Sequence, residues 1–322
     1  MNNKILVYVI LLIFSLVGCT KDDSQSPRPD PISPDPSSLP SCADFLSEIP
    51  GDSSYANYGA HFKQWLAEHN YHDILKTTGK GGSDDGNCIP TKDPLILLLM
   101  SEYYAMEAGY SPCEYYSIHP INDALIDHRA DRTYRIRRFI EAVKAYTGRN
   151  KVDIIAYSRM VTLARKSIQG GATYQGLDQS SETACNLGTN INDSIDTFVG
   201  IAGVNRGHLE CGYWPNVYPV ANCSANAMSI DNPFYLDLNG GPNTHMNPQT
   251  IANYTYSIYS DEDCVGGLSG PGCSVVDGLH TSRIPGETGF YLKNGLGDSP
   301  HFELTGTASV QFNMIQNHII AE

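Results

Sequence analysis

The sequence predicts an α/β fold in which helices flank a mainly parallel central sheet. Four short apolar segments have the length and composition of strands that are buried on both faces: 94–100, 152–156, 197–202 and 253–260. A helical pattern at 133–146 separates the first two segments, with apolar side chains along one stripe. Strands that alternate with helices at this spacing are typical of a parallel sheet wrapped by helices.

Further elements fit between these strands. The pattern indicates helices at 58–70, before 109, at 159–168 and at 309–320, a strand at 115–118, and a glycine-rich loop at 78–87. The helix at 159–168 follows the second buried strand almost without a spacer. This junction is therefore the sharpest turn at the carboxyl edge of the predicted sheet, where reactive groups of such sheets cluster.

The chain begins with a pattern that is typical of a targeting signal. An apolar run at 5–17 is shorter than the ~20 residues that a permanent membrane helix needs. It ends in Leu16-Val17-Gly18-Cys19, a small-residue cleavage site with cysteine in the acceptor position. We interpret 1–19 as a bacterial lipoprotein signal peptide and expect lipid attachment at Cys19, which would make the membrane a partner.

Residues 20–40 are rich in proline, serine and aspartate, a composition that favours solvated, extended backbone. We expect them to tether one domain, at 41–322, which is long enough to bury a large core. Lys21-Asp22-Asp23 is similar to the surface-export signal of some bacterial lipoproteins. The expected location is the bacterial cell envelope, with a lipid anchor in the outer membrane or at the cell surface.

The cysteines predict disulfide bonds. Eight of the nine cysteines follow Cys19, and an even number in an exported chain favours disulfides over metal ligands. Cys211 with Cys223, and Cys264 with Cys273, are close enough in sequence to form local bridges. No cysteine pair has the Cys-x-x-Cys spacing of a zinc site, and neither a metal nor another cofactor is expected.

The formal net charge of −14 excludes one class of partner. Nucleic acid binding depends on basic groups that neutralise phosphates, and this composition offers few. An acidic surface instead suits a soluble extracellular domain.

Ser158 is the candidate nucleophile. It lies in Ala156-Tyr157-Ser158-Arg159-Met160, at the strand-to-helix junction. In an α/β-hydrolase such a turn lifts the serine hydroxyl above the sheet. The positions two before and two after the serine are usually glycine, because strand and helix approach closely there, but here they are Ala156 and Met160. A capping or turn role is the alternative reading of this serine.

Three segments carry a longer pattern: 144–166 around Ser158, 196–207 with Asp196-Thr197-Phe198-Val199-Gly200-Ile201-Ala202-Gly203-Val204-Asn205-Arg206-Gly207, and 256–263 with Tyr256-Ser257-Ile258-Tyr259-Ser260-Asp261-Glu262-Asp263. Together they closely resemble the secreted class 2 lipases, a family that includes esterases and an extracellular polyhydroxybutyrate depolymerase. The resemblance covers roughly 93 to the end of the chain. It implies an α/β-hydrolase fold, stabilised here by disulfides, and the cleavage of carboxylic esters.

The resemblance also implies the residues that would activate the nucleophile. The family's Tyr-Ser-x-x-Asp pattern places the acid at Asp263, with Asp261 as the neighbouring alternative. The family's histidine lies in a loop before the last helix, which corresponds to His301, whereas His280 and His318 fit less well. His301 would act as general base and acid, and Asp263 would orient its imidazole.

The donors for the oxyanion depart from the family pattern. One expected donor is the backbone N–H of Arg159, directly after the serine. The family's second donor comes from a His-Gly loop, but here the early strand ends in Leu99-Met100-Ser101 and enters a helix at once. Tyr157 and Arg159 also replace the usual His and Met beside the serine. A backbone N–H near Ser101 or the Arg159 side chain is the expected substitute.

Two functions follow from these observations. The first is an exported, lipid-anchored serine hydrolase that cleaves acyl esters, lipids or polyesters through an acyl-enzyme, as the resemblance implies. The alternative is a surface lipoprotein that keeps the fold, lacks efficient catalysis and binds a partner. The ordered serine, acid and histidine favour hydrolysis, and the missing His-Gly loop favours binding.

Overall fold

The four buried segments form adjacent strands of one eight-stranded sheet. The structure, a computed structural model, describes residues 34–46, 56–87, 89–119, 127–240, 250–264 and 274–322. Within them the strands are β1 (Ala56–Tyr58), β2 (Thr78–Gly81), β3 (Leu95–Leu98), β4 (Tyr115–His119), β5 (Val152–Tyr157), β6 (Ala172–Tyr174), β7 (Ala184–Asn186), β8 (Ile195–Ile201), β9 (Tyr254–Tyr259), β10 (Val275–Val276), β11 (Leu279–His280) and β12 (Gly289–Leu292).

The central sheet has the order β1-β2-β4-β3-β5-β8-β9-β12. From β4 to β12 all neighbours are parallel, whereas β2 is antiparallel to β4 and parallel to β1. The carboxyl ends of six strands therefore lie at one edge of the sheet. The predicted mainly parallel sheet is confirmed, and β6–β7 and β10–β11 form two small antiparallel pairs beside it.

Helices cover both faces of this sheet. They are α1 (Cys42–Phe45), α2 (Ala60–Glu68), α3 (His72–Leu75), α4 (Glu102–Glu107), α5 (Ala130–Thr147), α6 (Met160–Gln169), α7 (Pro233–Asn239), α8 (Pro300–Glu303) and α9 (Ala308–Asn317). One core joins α5 and α6 to Ile96 and Ile154, and the other joins α4 and α9 to Leu97 and Ile155. Because neighbouring residues of β3, β5, β8 and β9 enter opposite cores, these four strands read as mainly apolar runs.

Two expectations about the N-terminal part of the domain are corrected. The pattern predicts a loop at 78–87, but its first four residues form β2, which pairs with β1 and β4. The helix predicted at 58–70 begins at Ala60, because Tyr58 belongs to β1. Thr78-Gly79-Lys80-Gly81 has no large apolar side chain, so main-chain pairing to its neighbours determines this strand, and periodicity does not reveal it.

Two disulfide bonds have both of their cysteines within the described residues. The predicted Cys211–Cys223 bridge is present, and a second bridge joins Cys42 to Cys185 across 143 residues. Cys264 is also disulfide-bonded. Its predicted partner, Cys273, lies outside the described residues.

The start of the described chain lies against β7. The Asn186 N–H donates to the Pro40 carbonyl, the Asn186 side chain donates to the Pro36 carbonyl, and Ser41 forms a parallel bridge to Asn186. The signal peptide, Cys19 and most of the predicted tether lie outside the described residues. Among the residues that are described, no helix is long and apolar enough to span a membrane.

The two disulfides should differ in their contribution to stability. The Cys42–Cys185 bond closes a loop of 143 residues and the Cys211–Cys223 bond a loop of 12. Loop entropy predicts a loss of about 5 kcal/mol when both cysteines of the first pair become alanine, against about 3 kcal/mol for the second pair. Denaturant unfolding of the two double variants measures this difference. Equal losses would contradict the chain-entropy argument.

Candidate active site

Ser158 connects β5 to α6 and has a left-handed backbone conformation, with φ of +56°. This conformation costs roughly 1–2 kcal/mol in a residue other than glycine, so the surroundings must stabilise it. The Ser158 N–H donates to the Ile201 carbonyl at the end of β8 (2.8 Å), and the Val161 N–H donates to the Ser158 carbonyl (3.1 Å). The half-buried serine is thereby fixed at the carboxyl edge of the sheet.

Helix α6 lies close to the sheet because glycines in and just after the neighbouring strand β8 leave room for it. Ala156 pairs with Gly200 of β8, and a Cβ atom at Gly200 would lie 2.9 Å from the Val161 side chain. A Cβ atom at Gly203 would also lie 2.9 Å from Val161. Both separations are shorter than real side chains tolerate. Gly200 in the sheet and Gly203 just after β8 therefore make room for α6, and Met160 is fully buried.

His301 lies in α8, and its Nε2 atom is 3.0 Å from the Ser158 Oγ atom. Its side chain is 21% exposed, so the imidazole reaches solvent beside the serine. Tyr157 holds His301 in place: its hydroxyl donates to the His301 carbonyl at 3.0 Å, and the two ring centroids are 4.9 Å apart. Burial, with the Asp263 charge as a second cause, raises the pKa of Tyr157, so this hydroxyl remains a donor.

Asp263 follows β9 and contacts His301 on the side away from Ser158. Its Oδ2 and Oδ1 atoms lie 2.9 and 3.1 Å from the His301 Nδ1 atom, and its side chain is only 2% exposed. Because a carboxylate can only accept, Nδ1 carries the proton and Nε2 accepts from Ser158. The Asp263 N–H donates to the Ser260 carbonyl (3.2 Å), and Ser274 Oγ donates to the Asp263 carbonyl (2.6 Å). The sequence-predicted trio is therefore in contact.

The alternative residues lie elsewhere. Asp261 is exposed, and its N–H donates to the Asn294 side chain. His318 lies near the start of β9, at the opposite edge of the sheet, and contacts Asp196 (3.1 Å). His280 is buried near Asp263 but does not contact the serine within the described residues. In the same part of the chain, no group of three or more histidine, cysteine or acidic side chains is placed to hold a metal ion.

The region expected to supply the oxyanion donors has two distinct parts. Arg159 directly precedes α6, so its backbone N–H lies at the positive end of that helix. At the end of β3, where the family has its His-Gly loop, Leu99 has a left-handed φ of +61° and packs against both cores. Ser101 caps α4 by accepting from the Tyr103 N–H. Leu99 therefore turns the chain sharply without a glycine.

His128 is a residue of this region that sequence reasoning misses. It is fully buried, stacks on Phe234 at 3.6 Å, and its Nε2 atom lies 2.8 Å from the Thr162 hydroxyl. Thr162 in turn donates to the Arg159 carbonyl (3.1 Å), so His128 supports the first turn of α6. Burial lowers the pKa of His128 to about 3, which keeps the ring neutral. An isolated histidine before a helix carries no sequence signal for this role.

Comparison with known proteins identifies the family. The model of the class 2 lipases matches residues 99–312. The chain belongs to the class 2 lipase family. The sheet order, the helices on both faces and the position of Ser158 agree with the α/β-hydrolase fold that membership implies. No curated protein sequence matches the chain significantly.

Solved structures with a similar fold include lipases and esterases. Lipase B of Aspergillus fumigatus is 12% identical, with a TM-score of 0.41, and the match covers 76% of this chain and 51% of that one. Mature lipase BlEst2 of Bacillus licheniformis is 13% identical (TM-score 0.43; 72% and 94% covered), and carboxylesterase CesB of Bacillus subtilis is 11% identical (0.38; 81% and 99%). This chain thus spans about half the length of the Aspergillus enzyme.

Tyr157 should matter for the reactivity of the site more than for folding. Removing its hydroxyl in Tyr157→Phe frees the His301 backbone, so we expect Ser158 to react with a fluorophosphonate about fivefold more slowly, with a loss of about 1 kcal/mol in unfolding free energy. Tyr256→Phe is a matched control, because the Tyr256 hydroxyl donates to the His318 carbonyl at 2.9 Å, away from the site. Equal reaction rates in the two variants would contradict this role.

Proposed function

We propose that this class 2 lipase is a lipid-anchored serine hydrolase, exported to the cell envelope, that cleaves carboxylic esters. The observation that carries the proposal is the continuous contact of Ser158, His301 and Asp263, with 3.0 Å between nucleophile and base and 2.9 Å between base and acid. Membership of the lipase family supports an acyl ester, lipid or polyester as substrate. The assembled trio favours hydrolysis over the alternative of a binding protein without catalysis.

In the first half of the reaction, Ser158 Oγ attacks the ester carbonyl carbon while His301 Nε2 accepts the hydroxyl proton. The buried Asp263 carboxylate stabilises the imidazolium that forms. The carbonyl π electrons move to the oxygen, which becomes an oxyanion. When this tetrahedral intermediate collapses, the bond to the alkoxy group breaks, and His301 gives the proton to the departing alcohol. The product of this half is an acyl-enzyme on Ser158.

In the second half, water replaces the alcohol. His301 Nε2 removes a proton from water as the water oxygen attacks the acyl carbon. Collapse of the second tetrahedral intermediate breaks the bond to Ser158 Oγ, which regains its proton from His301. The carboxylic acid leaves, and the enzyme returns to its starting state without any cofactor.

The oxyanion of both intermediates needs donors that are already in place. We assign one to the backbone N–H of Arg159, at the N-terminus of the ten-residue α6. The second is a backbone N–H of the segment after Leu99, because the left-handed turn there ends the neighbouring strand β3. Either donor would stabilise negative charge on the substrate oxygen without the His-Gly loop of the family.

A fluorophosphonate probe tests the proposed triad without knowledge of the substrate. We expect the domain from Ser41 onward to be labelled, and Ser158→Ala and His301→Ala to abolish labelling. Asp263→Asn should slow it by roughly three to four orders of magnitude, because the imidazole then loses its orientation and charge partner. Asp261→Asn and His318→Ala are controls that should label like the wild type. Absence of labelling in the folded wild type would favour the binding alternative.

The anchor has a separate test. We expect full-length protein expressed in a bacterium to incorporate an alkyne-labelled fatty acid and to sediment with membranes, because two acyl chains on Cys19 give stable attachment. Cys19→Ala should lose the label and, if the precursor is still released, appear in the soluble fraction. A Cys19→Ala protein that still takes up the label would overturn Cys19 as the lipid-bearing residue.

A further inference from the structure

The buried Asp263 carboxylate has a single hydrogen-bond donor within the described residues. Both of its oxygens contact the same atom, His301 Nδ1. An ionised carboxylate has about four acceptor sites, and a buried one depends on surrounding polar groups to stay charged. During the proposed reaction His301 gains and loses a proton, so the support from this donor changes within each cycle. A second polar group beside Asp263 would therefore have a defined task.

His280 is such a group. It ends β11 and is buried against Tyr259, the last residue of β9, with ring centroids 4.5 Å apart. Its Nδ1 atom accepts from the Ser282 N–H at 3.1 Å, which leaves the proton of the neutral ring on Nε2. Within the described residues, this buried Nε2 atom has no hydrogen-bond partner of standard geometry. A buried N–H is costly unless a nearby acceptor or charge compensates it, and the Ser260 carbonyl is such an acceptor.

The surroundings of His280 are those of the Asp263 turn. Burial lowers the pKa of His280, the carboxylates of Asp263 and Asp261 and the carbonyl of Ser260 act in the opposite direction, and Arg283 adds to the lowering. The lowered pKa favours the neutral ring. The ring lies at the Asp263 turn because it stacks on Tyr259, four residues before Asp263. The Ser260 carbonyl also accepts the N–H of Asp263, so it belongs to the turn that carries the carboxylate.

The β10–β11 hairpin also braces this turn. Ser274, just before the hairpin, donates to the Asp263 carbonyl (2.6 Å), and the Thr281 N–H, just after it, donates to the Ser274 carbonyl (2.7 Å). His280 belongs to this hairpin, so its ring is fixed by the stack on Tyr259 and its backbone by the hairpin's contacts with the Asp263 turn. A ring fixed in this way has lost its rotational freedom before the reaction begins, as preorganised support requires.

We propose that His280 is a positioning residue for Asp263. The proton on its Nε2 atom is directed to the Ser260 carbonyl, in the turn that carries Asp263, and so holds the carboxylate in position while His301 exchanges protons with Ser158 and the leaving group. His280 forms no bond to substrate and transfers no proton. This inference rests on the proposed function, because it assigns a task within the same triad.

Two substitutions separate the N–H of His280 from its packing. His280→Phe keeps a flat ring against Tyr259 and removes the donor, whereas His280→Gln keeps a donor near the position of Nε2 and removes the ring. We expect His280→Phe to lower the rate constant of fluorophosphonate labelling about tenfold, and His280→Gln to restore most of the loss. With p-nitrophenyl butyrate, kcat should fall in His280→Phe while KM changes little, because His280 does not contact substrate.

His318→Phe is the matched control. His318 also stacks on a tyrosine of β9, Tyr254 at 3.8 Å, and contacts a carboxylate, Asp196, but it lies at the other end of the strand. The fluorophosphonate labelling rate of His318→Phe should equal that of the wild type. In an Asp263→Asn background, His280→Phe should cause no further slowing, since the two residues act through one carboxylate.

The outcomes distinguish the inference from the function on which it rests. Labelling that depends on Ser158 and His301 but is unchanged in a folded His280→Phe protein would overturn the positioning role alone. Equal slowing in His280→Phe and His280→Gln would also overturn it, because the ring packing rather than the N–H would then matter. A folded wild type that is not labelled would overturn the proposed function, and the positioning role with it.

Discussion

The left-handed turn at Ser158 is the constraint on which the site depends. It is stable only because β5, β8 and α6 are packed closely enough for the Ser158 N–H to reach the Ile201 carbonyl. Gly200 of β8 and Gly203, two residues after the end of that strand, make that packing possible, and parallel strands bring the residues after β9 and β12 to the same edge. The serine, acid and histidine therefore meet through sheet geometry, although long stretches of chain separate them.

A buried carboxyl group, that of Asp153, lies at the opposite end of β5 from Ser158. Asp153 is buried near the start of β5, where burial and the neighbouring Asp196 raise its pKa to about 8. It is largely protonated at neutral pH, and its Oδ1 atom accepts from the Thr197 N–H at 3.0 Å. The strand thus carries a mostly neutral carboxyl group near one end, and the proposed nucleophile Ser158 follows its other end. The buried charge that the chemistry requires, on Asp263, is confined to the carboxyl edge.

The sequence was informative wherever burial or chemistry leaves a local pattern. The strands β3, β5, β8 and β9 are apolar runs because both of their faces are buried. The family resemblance indicates Ser158, Asp263 and His301, which are in contact in the structure. The sequence pattern does not reveal strand β2, because main-chain pairing alone forms it. The Cys42–Cys185 bond joins residues 143 apart, and spacing cannot identify such a partner. The role of His128 has no sequence signal either, because its contacts, Thr162, Asn226 and Phe234, come from distant segments.

At the positions where the chain departs from the family pattern, other residues provide structural support for the site. Tyr157, in the place of the usual histidine, donates to the His301 carbonyl, and Leu99 makes the sharp turn after β3. Meanwhile the fold retains a buried carboxylate at Asp263 and a strained backbone at Ser158. Both features cost stability. Their joint presence at one edge of the sheet supports the proposed ester hydrolysis, independent of the missing His-Gly loop.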